Sequence, residues 1–379
     1  METLIHGGLR LELARFPLRH GDPLRAWDAA DEYILQHLEE LPLPPGSRVL
    51  VIGDAFGALT CALSLFAPTH WSDSFLSREA ARFNLGHNGL APDVMSFVTG
   101  ECEPQGPFDL VLIKPPKSLD ALTDLLRRLR PALGEETRIV LGSMIKHTPG
   151  SVYRTVEQII GPTVTGLGWK KARLAIVSFD PDACLSETPP NRSYDLEGLD
   201  LRLSSRPGVF SGDRLDFGTG ILLRSLPQTE APLRAVDLGC GNGVLGLALA
   251  RQCPRASVIF VDESDQAVAN VRENASRADL GDRDFEFRVA DGLADQDFDS
   301  IDLILCNPPF HQAQAVGDQI AWRMFEQAKR ALCPGGDLLV VGNRHLGYHV
   351  KLKRLFGQAD VIDSDERFIV MRARFRSSG

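Results

Sequence analysis

The feature that most constrains this chain is an internal repeat. Two landmarks recur in the same order in both halves, a glycine-punctuated turn after one apolar run and a proline pair after another. Val51–Leu59 (VIGDAFGAL) lines up with Asp237–Leu245 (DLGCGNGVL), and Phe108–Lys117 (FDLVLIKPPK) with Ile301–Phe310 (IDLILCNPPF). A repeat this long means that each half buries its own apolar faces, and 379 residues exceed what one hydrophobic core organises. We therefore expect one domain over 1–180 and a second over 201–379. The connecting linker is placed at 181–200, where proline, serine and acidic residues displace both hydrophobic periods.

The second half alternates strand and helix. Apolar strands are expected at Arg234–Leu238, Ser257–Val261, Phe285–Val289, Ile301–Cys306 and Asp337–Val341. Two more follow the helical stretch Tyr348–Leu355, near Asp360–Asp363 and Phe368–Ala373. Such alternation implies a mostly parallel, doubly wound α/β sheet of seven strands. The first half repeats that plan in faded form.

No apolar run approaches the roughly 18 residues of a membrane span. The first thirty residues mix Arg10, Glu12, Arg15, Arg19 and Asp22 without a signal-peptide core. Cysteines 61, 102, 184, 240, 253, 306 and 333 are scattered, with no C-x-x-C pair and no Cys/His cluster at metal spacing. We expect reduced thiols, no metal, a cytoplasmic location and, with nothing demanding a dimer, a monomer. A formal charge of −9 provides no global field for a polyanion, so nucleic-acid contact would rest on local basic patches.

The turn Asp237-Leu238-Gly239-Cys240-Gly241-Asn242-Gly243 ends a strand and opens a helix, where missing Cβ atoms let backbone approach a ligand. Its spacing is G-x-G-x-G, not the dinucleotide fingerprint G-x-G-x-x-G, which points to S-adenosylmethionine (SAM) rather than a pyrophosphate cofactor. Asp262 and Glu263 end the next strand, and a carboxylate there can accept both hydroxyls of a ribose. Asp291 and Gly292, after the third strand, are candidates for the adenine end.

The most specific signal is Asn307-Pro308-Pro309-Phe310, directly after the fourth strand and beside the glycine loop. Two prolines stiffen the backbone, so the Asn307 side-chain oxygen and the Pro308 carbonyl can accept both protons of an amino group, with Phe310 as a stacking face. An exocyclic amine is a poor nucleophile, and accepting its protons while it rehybridises stabilises the transition state more than the ground state. Holding nitrogen, methyl and sulfur in line would contribute up to roughly 7 to 11 kcal/mol.

With the duplication, these residues resemble the RlmG/RsmC family of ribosomal RNA guanine-N2 methyltransferases, and the match covers nearly the whole chain. The resemblance implies two tandem Rossmann-like class I SAM-dependent methyltransferase domains, the first degenerate. It also implies methylation of a guanine N2 in rRNA, protein-free or partly assembled. Asp54–Leu59, Trp169–Leu174, Val261–Ser264 and Asn343–Leu346 look more like the branch acting on 23S rRNA than the 16S branch. An N-P-P-aromatic loop also serves adenine N6 and protein glutamine methylation, and a non-catalytic SAM- or RNA-binding scaffold is the reading outside enzymes.

The first half departs at the decisive positions. Val51 replaces Asp237, Ala55 and Phe56 replace Gly241 and Asn242, and Lys114 and Lys117 replace Asn307 and Phe310. We expect it to bind neither SAM nor an amine, and to position RNA through Lys114, Lys117, Lys170, Lys171 and Arg173, near Arg127, Arg128 and Arg130. The alternative is a solvated surface carrying scattered charges. Phe210 is either core or a side chain closing over the cofactor or base. Arg372, Arg374 and Arg376 alternate along an expected exposed edge strand.

Overall fold

The computed structural model describes residues 2–19, 21–183, 191–210, 214–294, 300–309 and 314–376. The chain divides into two compact units, Met1–Pro190 and Asn191–Gly379.

In the first unit β1 (Glu2–His6) and β2 (Leu9–Leu13) form an antiparallel hairpin. There follow α1 (Ala29–Glu40), β3 (Val49–Ile52), α2 (Ala58–Ala62), β4 (Thr69–Trp71), α3 (Phe75–His87), β5 (Ser96–Val98) and β6 (Leu110–Ile113). Next come α4 (Leu119–Leu129), β7 (Arg138–Met144), α5 (Gly150–Ile159), β8 (Thr163–Trp169) and β9 (Ala172–Val177). The second unit opens on another hairpin, β10 (Arg192–Leu196) with β11 (Leu201–Ser205). It continues through α6 (Phe217–Arg224), β12 (Leu233–Leu238), α7 (Val244–Gln252), β13 (Ala256–Asp262), α8 (Asp265–Arg277), β14 (Phe285–Val289) and β15 (Ile301–Cys306). It ends with α9 (Gln314–Ala331), β16 (Leu332–Asn343), α10 (Tyr348–Phe356), β17 (Asp360–Ser364) and β18 (Phe368–Arg374).

The two sheets have one topology, β5-β4-β3-β6-β7-β9-β8 and β14-β13-β12-β15-β16-β18-β17. In each, the first five strands run parallel and the last strand of the unit inserts antiparallel next to the edge. Both faces are covered, which is why the strands read as continuous apolar runs. Along β13, Val258 and Phe260 enter one core while Ile259 and Val261 enter the other. Along β3, Leu50 and Ile52 are separated from Val49 and Val51 in the same way.

Two expectations need correction. The linker expected at 181–200 includes β10, whose hairpin buries Leu196, Leu201 and Leu203 in the second core; residues 184–190 lie outside those described. Its strand pattern was illegible because only Tyr194 and Leu196 mark the inner face of Arg192–Leu196. The supposed edge strand bearing Arg372 and Arg374 is β18, paired on both sides. Arg374 there binds Asp337 through two hydrogen bonds, of 2.8 and 2.7 Å.

The hairpins extend the duplication beyond what the motifs revealed. Asn84 of α3 donates to the carbonyls of Phe56 and Ala14, and Asn274 of α8 donates to those of Asn242 and Ser204. Each ties its hairpin to its glycine loop. Among the described residues no helix is long and apolar enough to cross a membrane, and no group of His, Cys, Asp and Glu could hold a metal ion.

Candidate active site

Sheet register builds the site. Leu238 of β12 lies beside Val261 of β13 and Cys306 of β15. The residues that follow, Gly239, Asp262 and Asn307, therefore leave neighbouring strands together at the carboxyl edge, as the motifs require. Gly239 is exposed at φ +74° and Gly241 sits at φ +54°, a region that strongly favours glycine. A Cβ on Gly241 would meet only Phe210, at 3.6 Å. Phe210 is half exposed above the loop, so it is not core.

Asp262 holds this loop open. Its carboxylate accepts the Gly241 N–H at 2.9 Å and the Ser264 N–H at 3.0 Å, fixing the strand end against the turn. Glu263 beside it is exposed.

Other residues expected at the cofactor face inward. Asp237 is fully enclosed and accepts the Gly246 N–H at 2.8 Å, so it caps the start of α7 from beneath. Burial, with Asp262 nearby, pushes its carboxyl up to about 7. Asn242 is buried and donates to the Tyr194 hydroxyl at 3.0 Å, anchoring the β10–β11 hairpin. A Cβ on Gly243 would lie 2.7 Å from Val271, so that glycine permits close packing of α8. Asp291 is paired with Arg323 of α9 at 2.6 Å, and Gly292 leaves room for Gln327, which accepts the Leu293 N–H and donates to the Asp291 carbonyl. For Asn242 and Asp291 the side-chain partner comes from a distant element, which periodicity does not encode.

Asn307 is half buried. Its Nδ2 donates to Thr219 Oγ1 at 2.8 Å and, more weakly, to Asp216 Oδ2 at 3.4 Å. Its Oδ1 is buried and has no hydrogen-bond partner among the described residues. Reversing the amide would set an acceptor against the Asp216 carboxylate, so the network decides the orientation. Buried polar atoms are nearly always satisfied, and an orphan acceptor beside an open glycine loop marks where a donor is to be received. Pro308 is buried and Pro309 exposed; Phe310 lies outside the described residues.

Sequence reasoning missed Asp216 and Thr219, the N-cap and third residue of α6. The signal was available as an Asp-x-x-Thr cap before an apolar run. It recurs in the first unit as Asp28-x-x-Asp31, a capping box on α1. There Lys114, at the position of Asn307, places its ammonium 2.8 Å from Asp28 and 2.7 Å from Asp31. The two carboxylates overcome the effect of burial and hold Lys114 above its ordinary pKa. Lys114 is thus spent inside the fold, and the expectation that it contacts RNA is corrected.

The first glycine loop is filled by its own side chains. Asp54, which stands where Cys240 does, accepts the Ala58 N–H, the Thr60 N–H and the Thr60 hydroxyl. Ser72 occupies the position of Asp262. Arg130 donates to the carbonyls of Ile159, Asp180 and Pro181, and Arg128 to that of Cys102, so these guanidinium groups support the fold. Lys170 and Lys171 are exposed at the β8–β9 turn, with Lys170 over Trp169 and bonded to Glu32 at 2.8 Å. Lys117 is exposed and Arg173 half buried.

Residues 1–181 match a family described as the RLMG N-terminal domain, and residues 200–372 one described as the methyltransferase small domain. The chain is 49% identical over 366 residues to a ribosomal RNA large subunit methyltransferase G of Streptomyces avermitilis, covering 95% of this chain and 96% of that protein. It is 45% identical to a protein of the same name from Pseudomonas syringae pv. syringae, covering 99% and 100% respectively. Among solved structures it is similar to the T. thermophilus 16S rRNA N2 G1207 methyltransferase RsmC in complex with AdoMet and guanosine. The TM-score is 0.75 at 22% identity, covering 99% of this chain and 98% of that one, which is a likeness of fold.

Proposed function

Because the chain belongs to the ribosomal RNA large subunit methyltransferase G family, we propose that its second unit methylates the exocyclic N2 of a guanine in 23S rRNA, leaving N2-methylguanosine and S-adenosylhomocysteine. The observation that carries this reading is the buried, unpartnered Oδ1 of Asn307 beside the glycine loop.

The residues present fit SAM. The loop carries no Cβ at Gly239 and Gly241, Asp262 and Glu263 flank it, and Phe210 overhangs it. When bound, SAM supplies an electrophilic methyl on a sulfonium. Gly239 and Gly241 would admit the cofactor, while Asp262 shapes the loop and would present its carboxylate to the ribose hydroxyls. Asn307 Oδ1 receives one N–H of the target amine and the Pro308 carbonyl the other. These two acceptors would favour the rehybridised nitrogen, and the proton it gives up on methylation would pass to solvent, since neither the Asn307 amide nor a backbone carbonyl can keep it. Phe310 would stack on the base, which must leave any helix to reach this edge.

The first unit takes the RNA-positioning role, with Lys117, Lys170, Lys171 and Arg173 as its candidate phosphate contacts. An rRNA substrate is met in the cytoplasm, which is the location proposed for this chain. The large-subunit reading is favoured because near-full-length relatives at 45% identity or more carry that name, whereas the 16S enzyme stands at 22%.

The test is tritiated-methyl transfer to protein-free 23S and 16S rRNA, each digested to nucleosides and resolved by chromatography. Label in N2-methylguanosine from 23S alone is expected. Label from 16S, in N6-methyladenosine, or in neither RNA would overturn the reading in favour of, respectively, the 16S substrate, the adenine substrate, or a protein or assembled particle.

A further inference from the structure

Nothing intrinsic to an asparagine decides which end of its amide faces a substrate. The two orientations have nearly the same shape, and only neighbours with fixed donor or acceptor character separate them. At Asn307 those neighbours are Asp216 and Thr219. Asp216 Oδ2 accepts the Thr219 N–H at 2.9 Å and the Thr219 hydroxyl at 3.2 Å. The only hydroxyl proton of Thr219 is therefore committed to Asp216, and its oxygen is left as an acceptor, 2.8 Å from Asn307 Nδ2. An amide beside two acceptors must present its NH2 to them and its oxygen away from them, which is the orientation seen.

The first unit supplies an independent instance of the same seat. Its N-cap and third helix residue, Asp28 and Asp31, also present acceptors to the side chain that follows the fourth parallel strand, and a donor, the Lys114 ammonium, fills it. The seat takes donors in both units. Only in the second does the seated side chain have an acceptor left over.

We infer that Asp216 and Thr219 are positioning residues that lock the Asn307 amide with Oδ1 toward the substrate, making the site selective for an amino group over a carbonyl oxygen. The inference rests on the reading of Asn307 as the acceptor for the target amine. A carbonyl entering the site would meet an oxygen held in place by this relay. Rotating the amide to receive it would bring Oδ1 against Asp216 and leave acceptors facing each other.

The test is a mutant cycle in the full chain, followed by single-turnover methyl transfer to rRNA and by SAM calorimetry. Thr219→Val keeps the N–H that binds Asp216 and removes the hydroxyl. It should slow methyl transfer at least tenfold while KM for RNA and the affinity for SAM change less than threefold. Thr219→Ser should restore the rate to within threefold. If Thr219 acts through Asn307, Thr219→Val combined with Asn307→Ala should be no slower than Asn307→Ala alone. Multiplying rate losses, or a Thr219→Val enzyme as fast as wild type, would overturn the inference. Should the valine variant fail to bind SAM, Thr219→Ala serves the same readouts. Undiminished turnover by Asn307→Ala alone would instead overturn the acceptor role of Asn307, and so separates the two failures.

Discussion

Restoring asparagine at position 114 of the first unit should destabilise it without restoring a site. In the native fold the Lys114 ammonium, with 15% of its side chain exposed, neutralises Asp31, with 7% exposed, and the more open Asp28. Lys114→Asn leaves Asp31 enclosed beside a second carboxylate. Breaking a buried pair from one side costs about 3 to 5 kcal/mol, and exposure of Asp28 puts the effect nearer the lower bound. Against a typical domain stability of roughly 5 to 15 kcal/mol this is a large loss. Urea unfolding followed by tryptophan fluorescence reads it directly, because Trp27, Trp71 and Trp169 lie in the first unit and Trp322 alone in the second. The deficit should shrink as pH falls. Burial already pushes the Asp31 carboxyl up to about 6 beside the ammonium, and without Lys114 it rises further. A folded pKa above the unfolded one favours the protonated fold, so lowering the pH from 8 to 5 relieves the variant more than the native chain, whose Lys114 compensates Asp31 at pH 8 and stays paired with Asp28, held below its ordinary range, at pH 5. Calorimetry should still count a single SAM per chain, since Ser72, Ala55 and Phe56 remain in the first loop. A stability change under about 1 kcal/mol, or one independent of pH, would refute the reasoning.

Asn307→Ala should bind SAM normally and lose about 10² to 10³ in single-turnover rate, the effect of deleting one preorganised transition-state hydrogen bond. Asp262→Ala should weaken SAM binding, because the Gly241 N–H loses its acceptor; unaltered calorimetric affinity would refute that. For Asp237, pushed up to about 7 by burial, the raised folded pKa contributes stability that is present below about pH 4 and lost as pH rises through 7. The term amounts to about 4 kcal/mol, so thermal unfolding of Asp237→Asn should show a flatter pH dependence than wild type. Gly292→Ala puts a Cβ 2.2 Å from Gln327 Oε1 at φ +56°, which should cost about 1 to 3 kcal/mol in denaturant unfolding.

The sequence by itself determined the duplication, the seven-stranded doubly wound sheets and the meeting of Gly239, Asp262 and Asn307. Those follow from local pattern and strand order: runs such as Ile301–Cys306 are apolar because both faces are covered, and parallel register then sets the next residues side by side. Tertiary structure decided which partners the marked side chains have. Lys114 reads as a phosphate contact until Asp28 and Asp31, 86 and 83 residues earlier, are seen to hold it. Asn242 and Asp291 read as cofactor contacts until Tyr194 and Arg323 claim them. Conversely, Asn307 acquires a defined orientation only from Asp216 and Thr219, 91 and 88 residues away. The division has one physical cause. Backbone pattern is set by neighbours in the chain, whereas whether a polar atom is satisfied or left as an orphan depends on groups that only the folded chain brings within about 3 Å.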